Sequence, residues 1–563
     1  MRLNRIIRLF AATLALWSLG VAPSLAADDI TADQRLPNGV LLYLSAPDVV
    51  TAHESFQKTG ISQLINDPAL EKFRQQLVEK FNDVEKKTQD ELGLSISDIT
   101  SLFSGEVTLA VVRPVGQSLG GVLFVDIGGH QDILEKLIAK AEAADEEGKA
   151  EKETDTIGDQ KITVYTIAVK DDEDAEPVTV AYFIKDDKLV VASAVSILES
   201  ILDQWDGTAE DSFARNEIYS EIIGKCTVKD SRPAMQYFID PVGLLVSGLS
   251  MNPDTQLFAG MVYSPAFGLN GLKGIGGTLE LATDEFDSIG RAMYYVDGPA
   301  SGLLKIFEFR PSISAPPKWV PAGAGQFIAF DWNIKGAYEA IESIYDSFTG
   351  PGKFVQTITG LAQQSGANLH IKDDIVDVLS GQFQWYLLPG EKPENMQGTL
   401  AIGVNDAAKG QHLVDSIMTM TGETEKTEFK GVQLFTLKEE GQKGAAAVKD
   451  KFIMVSPSAD QLKLALSGPA EQPLVNSENY LKIAGKIPEK VSLLGYQNPA
   501  DQLEAGYEKA RAGEFDSFTE GKLDLSVLPP FEVLKKYLTP SASYFVPDEH
   551  GTLGVQFSLK RSR

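Results

Sequence analysis

Ser104-Gly105-Glu106-Val107-Thr108-Leu109-Ala110-Val111 returns further along the chain as Ser380-Gly381-Gln382-Phe383-Gln384-Trp385-Tyr386-Leu387. Apolar side chains alternate in both stretches: Val107, Leu109 and Val111 in the first, Phe383, Trp385 and Leu387 in the second. A period of two marks a half-buried strand, because successive side chains leave a pleated strand on opposite faces. The spacing predicts that the same face is buried in each copy. It places Trp385 in the core and Tyr386 on the opposite face of the strand, where a ligand-lining role is the lesser reading. Upstream, Ile96, Ile99 and Leu102 stand before the first strand as Ile371, Ile375 and Leu379 stand before the second, at helical spacing.

The correspondence extends outward from this strand. Gly121–Val125 and Leu400–Val404 are apolar runs, each followed by an amphipathic stripe: Ile133, Leu134, Leu137, Ile138, and Leu413, Val414, Ile417, Met418. That i, i+1, i+4, i+5 spacing suits a helix laid on a sheet. Ile162–Ile167 answers Val432–Leu437, and Asp187–Val191 answers Asp450–Met454, each at a hairpin turn. Tyr219 answers Tyr480, and Tyr237–Pro241 answers Gly495–Pro499. The matched order predicts an internal duplication, with one lobe over residues 27–317 and the other over 318–563. Pro316-Pro317 is the joint, since consecutive prolines break helices and favour extended chain. Val242–Gly277 reads as extra material in the first copy.

Consecutive strands are joined by turn-length links such as Pro114–Leu119 and Lys185–Lys188. Links this short connect antiparallel neighbours, because parallel ones need a crossover of about a dozen residues. The expected fold class is α+β: two similar lobes, each an antiparallel sheet with helices packed mainly on one face. The order of Leu36-Pro37-Asn38-Gly39, the Ser104-Gly105 strand, Phe124-Val125-Asp126, the Lys185–Lys188 hairpin and Phe238-Ile239-Asp240-Pro241 resembles a family of exported bacterial proteins classed as a domain of unknown function. The resemblance implies export and a duplicated α+β body. It carries no activity and no site residues.

The N-terminus reads as an address. Arg2, Arg5 and Arg8 precede an apolar run from Leu9 to Leu19, and Ser24-Leu25-Ala26 supplies small residues at a cleavage site before Ala27. Residues 1–26 are therefore expected to be a signal peptide, with the product periplasmic or extracellular. The whole chain has 563 residues, with 51 Lys plus Arg, 79 Asp plus Glu and one Cys. A single cysteine excludes an intramolecular disulfide and an all-Cys metal site. The formal charge of −28 argues against a nucleic-acid partner, because phosphates are held by surplus Lys and Arg. No later segment has the apolar length of a membrane span.

Candidate chemistry is sparse. Gly116-Gln117-Ser118-Leu119-Gly120 fits the nucleophile-elbow pattern, but that elbow needs a helix directly after the serine, and another strand pattern follows here. His53, His130, His370, His412 and His550 form no i, i+3 or i+4 pair that would present a metal. The acid run Asp171–Glu176 lacks the turn glycine of a calcium loop and reads as a solvated hairpin loop. Gly268–Gly277 completes neither a phosphate loop nor a dinucleotide fingerprint, and Cys226 reads as a buried thiol. No catalytic, cofactor-binding or metal residue is assigned, and no cofactor is expected. The expected function is that of an exported, non-catalytic binding or structural protein of the bacterial cell envelope, with an unidentified protein or envelope partner. The alternatives are a carrier of an apolar ligand and a hydrolase using scattered carboxylates.

Overall fold

The computed structural model describes residues 30–79, 89, 95–114, 119–143, 150–167, 177–251, 254–264, 266–364, 369–389, 397–420, 424–437, 444–515 and 523–561. Residues 1–26, expected from sequence to be a signal peptide, lie outside the described residues. The chain falls into two compact units, one of Met1–Gly248 with Lys273–Met293, the other of Leu249–Leu272 with Tyr294–Arg563. Pro316-Pro317 lies inside the second unit.

The first unit's strands are β1 Val40–Ala46, β2 Val107–Val112, β3 Gly120–Asp126, β4 Ala150–Ile157 and β5 Gln160–Ile167. They continue as β6 Val178–Lys185, β7 Lys188–Ala192, β8 Met235–Ile239, β9 Leu272–Leu281 and β10 Phe286–Val296. Antiparallel pairing gives the order β4-β5-β6-β7-β3-β2-β1-β8-β9-β10.

In the second unit, β11 is Gln326–Asp331, β12 Leu379–Leu388, β13 Gln397–Val404, β14 Thr424–Phe429 and β15 Val432–Leu437. β16 is Ala445–Lys449, β17 Phe452–Ser456, β18 Leu493–Gln497, β19 Ser541–Asp548 and β20 Gly551–Leu559. Their antiparallel order is β14-β15-β16-β17-β13-β12-β11-β18-β19-β20. Position for position, this is the order found in the first unit.

Turn chemistry sets the tight links. β6 and β7 are joined by Asp186-Asp187, both with positive φ (49° and 56°), the backbone of a hairpin turn whose twist matches its strands. Asp450, at φ 53°, holds the corresponding turn between β16 and β17.

Helices lie on both faces of the second sheet, which corrects the one-face expectation. The helix Ala407–Met420 buries Leu413, Val414 and Met418 against Phe435, Ala446 and Ile453. The helix Ala459–Leu466 buries Leu462, Ala465 and Leu466 against Leu434, Ala445, Ala447 and Met454. Alternate residues of β15, β16 and β17 thus enter opposite cores. Unbroken apolar runs such as Ala445–Val448 and Phe452–Val455 are the sequence mark of strands covered on both sides.

The face assigned to the central strand is also corrected. Ala110 and Val112 are fully buried in β2, while Leu109 is 47% exposed. In β12 it is Tyr386 that is buried, at 1% exposure, and Trp385 that is half-buried. Trp385 instead joins a partly open aromatic group, 5.9 Å from Phe330, which stacks on Phe383 at 5.1 Å. Leu379 begins β12, so the upstream helical spacing ends at the single turn Ile371–Val376.

Val242–Gly277 is not an insertion peculiar to one copy. It holds the helices Pro241–Ser250 and Gln256–Val262 and the start of β9. The second unit has its own helical connection between β18 and β19, including Glu504–Arg511 and Phe531–Lys535.

Candidate functional site

The most chemically loaded cluster among the described residues is centred on Glu106 in the first unit. β2 carries Glu106 at its entry and Thr108 two residues on, so both point to the same face. The Thr108 hydroxyl lies 2.8 Å from Glu106 Oε1 and 2.7 Å from Ser45 Oγ on β1. The N–H of Ala32, first residue of the helix Ala32–Arg35, donates to both Glu106 oxygens at 3.0 and 2.9 Å. Beside this lies an aromatic core in which Tyr43 meets Phe213 and Tyr219 at ring distances of 5.4 and 5.6 Å. Tyr219 donates to Asp33 at 3.2 Å.

Burial pushes the Glu106 carboxyl up to about 7, and the nearby Asp33 charge adds to the rise. Hydrogen bonds from Thr108 and Ala32, with the Lys188 charge, hold it back. Lys188 is itself buried and pairs with Asp126 at 3.1 Å. A carboxyl poised near neutrality beside two hydroxyls has the right groups for proton transfer. Ser45, Thr108 and Tyr43 are nonetheless sealed from solvent, so no substrate atom meets them. The position matching Glu106 in the second unit is Gln382, which cannot titrate.

The motifs singled out in the sequence do not converge on this cluster. Gly116-Gln117-Ser118 lies outside the described residues, and the strands on either side pair as a hairpin, with Val112 opposite Gly120. That geometry has no helix to receive a nucleophile elbow. Asp171–Glu176 also lies outside the described residues, between paired Ile167 and Val178. His53 is buried, 2.8 Å from Gln57, whereas His412 meets Ser416 at 3.1 Å and His550 lies tilted against Tyr295 with ring centroids 4.9 Å apart. Cys226 is buried. Among the described residues no group of three or more His, Cys, Asp or Glu could hold a metal ion.

The unusual surface is apolar and belongs to the second unit. The helix Ile334–Thr349 buries Gly336, Ala337, Tyr338 and Ala340, yet turns Ile341, Tyr345 and Phe348 outward at i, i+4, i+7. Asp346 links it to the next helix, Lys353–Gln364, by accepting from the N–H groups of Gly352 and Phe354. Phe354 fits between Tyr338 and Tyr345, at ring distances of 5.5 and 5.7 Å. The second helix buries no residue, and its Leu361 is 60% exposed. Phe348 also touches Phe267 at 5.5 Å, and Met251, Phe258, Tyr263 and Phe307 stand exposed elsewhere in this unit. Sequence periodicity gives the amphipathic stripe but not which side of it is covered. No helix is long and apolar enough to cross a membrane among the described residues.

Comparison with protein-family models, curated proteins and solved structures finds no match.

Proposed function

We propose that this chain is an exported, non-catalytic binding protein of the bacterial cell envelope, built by internal duplication, that docks a partner protein on the helices of its second unit. The observation that carries it is the uncovered apolar side chains of Ile334–Thr349 and Lys353–Gln364. A large apolar side chain left in water forgoes roughly 1.5–3 kcal/mol of burial, so several on one hairpin favour an occupant.

Three observations support the rest of the reading. The strand order is the same in both units, and small bonds recur: Phe213 N–H to Leu36 C=O and Leu474 N–H to Val320 C=O, each 2.8 Å. Glu106, whose carboxyl burial pushes up to about 7, is sealed together with its hydroxyl partners, which speaks against its serving a hydrolase. Strand edges are unsuited to a partner, because β4 and β14 present exposed charges such as Glu151, Lys152, Glu153, Glu425, Lys426 and Glu428.

An apolar reporter dye tests the surface directly. The full mature chain should bind 8-anilinonaphthalene-1-sulfonate, and Phe348→Glu with Leu361→Glu should remove most of the signal without lowering Tm. A dye response that ignores these substitutions would overturn the docking assignment.

A further inference from the structure

We propose that the hairpin Ile334–Thr349/Lys353–Gln364, with the acidic turn Ile371–Val376 and Asp377 beside it, recognises a basic amphipathic helix of a partner protein. The inference rests on the binding reading above and specifies the partner's chemistry.

The apolar half of the argument is the exposed stripe. Ile341 and Phe348, seven positions apart on one helix, and Leu361 on the next offer exposed apolar anchors for the apolar face of a docked helix. The polar half is a surplus of carboxylates along the same segment. Residues 334–377 hold six acids against three lysines. Among the described residues, Glu342, Asp373 and Asp377 make no ion pair, and Asp373 and Asp377 are exposed.

Tyr338, on the same helix as Glu342, carries a buried hydroxyl. Tyr338 is 7% exposed, and its hydroxyl has no hydrogen-bond partner. Burial raises its pKa first, and the charges of Glu342, Asp373 and Asp377 raise it further. A buried hydroxyl without a partner forgoes about 1–3 kcal/mol, so this end of the helix is not packed for polar satisfaction on its own. Glu342 on the first helix, Asp373 in the turn packed against both helices and Asp377 just after it, none of them in an ion pair among the described residues, call for a cation. Their separation across two elements does not make a metal cage, and no metal-holding group is found among the described residues. A Lys or Arg on an amphipathic helix satisfies both halves: its stem lies on the apolar stripe and its head reaches the acids.

Other occupants fit less well. An anionic membrane is repelled by the same carboxylates. A second copy of this chain brings the same sign of charge, with 79 acids against 51 basic residues in the full sequence.

The test uses the full mature chain and an 18-residue Leu/Lys amphipathic peptide, with a Leu/Glu peptide, phosphatidylcholine vesicles and sedimentation velocity as the other arms. The Leu/Lys peptide should bind, and added salt should weaken it. Glu342→Gln/Asp373→Asn/Asp377→Asn should weaken it roughly tenfold, while Glu151→Gln/Glu153→Gln/Asp155→Asn on β4 should leave it unchanged. Glu342→Gln alone should give a smaller loss in the same direction, which guards against misfolding of the triple variant. Equal effects of the two triple variants would mean diffuse attraction to an acidic protein and would overturn the proposal. Binding of both peptides alike, of neutral vesicles instead, or self-association through Phe348 would also overturn it while leaving the apolar surface functional. Loss of dye binding and peptide binding together would remove the underlying reading as well.

Discussion

Both carboxylate oxygens of Glu106 accept the backbone N–H of Ala32, at 3.0 and 2.9 Å, across 74 residues of sequence. The bond ties the start of the described chain to the central strand of the first sheet. It does so with a group whose protonation changes near neutral pH.

Glu106 should make the protein less stable as pH rises. Its carboxyl titrates at about 7 when folded against 4.5 in its ordinary state, so the folded form holds more protons between these values. Stability is then lost as pH climbs from 4.5 to 7, by on the order of 3 kcal/mol, and is constant in this respect above 7. Glu106→Gln abolishes the effect, and Gln382 shows that an amide fits the matching position. The Tm difference between variant and wild type should grow across that window; a difference flat with pH would refute the assignment.

Tyr386 should matter more than Trp385, against the face predicted from its strand pattern. The Tyr386 hydroxyl accepts from Gln461 Nε2 at 2.7 Å in a buried site. Tyr386→Phe strands the Gln461 amide and should cost about 1–3 kcal/mol by urea unfolding. Adding Gln461→Leu should recover part of that loss, and a purely additive double variant would count against the pairing.

The first sheet's outer strand should be held monomeric by charge. β4 shows Glu151, Glu153 and Asp155 to solvent. Changing all three to Val leaves an apolar edge free to pair with another copy. Light scattering after gel filtration should then report oligomers, and a variant that stays monomeric would show that something other than charge protects the edge.

The proposed export sets an expectation for the mature N-terminus. Intact-mass measurement of the protein recovered from outside the cytoplasm should place it at or next to Ala27. Recovery of chain starting at Met1 from a membrane pellet would contradict this.

Strand existence, antiparallel pairing and the order of elements were legible because they rest on local features. Period-two runs, turn-length links and residues such as Asp186-Asp187 act over fewer than ten positions. Even the relation of Tyr237–Pro241 to Gly495–Pro499 could be read, and the structure gives both segments the same bond: Asp240 N–H to Leu41 C=O and Asn498 N–H to Gly325 C=O, each 2.8 Å.

What the sequence by itself determined, then, is the chain's periodicity, its turns and its surplus of acid. The tertiary structure decided which side of each element is covered. A strand such as Leu379–Leu388 has apolar side chains on both faces, so alternation alone cannot choose between Trp385 and Tyr386; the helix Ala459–Leu466, arriving from some 75 positions away, makes the choice through Gln461. The same holds for Glu106, whose raised titration comes from its burial and the remote Asp33, and for Ile341 and Phe348, whose exposure reflects what failed to cover them. Burial is a property of the assembled neighbours, and these lie far apart along the chain.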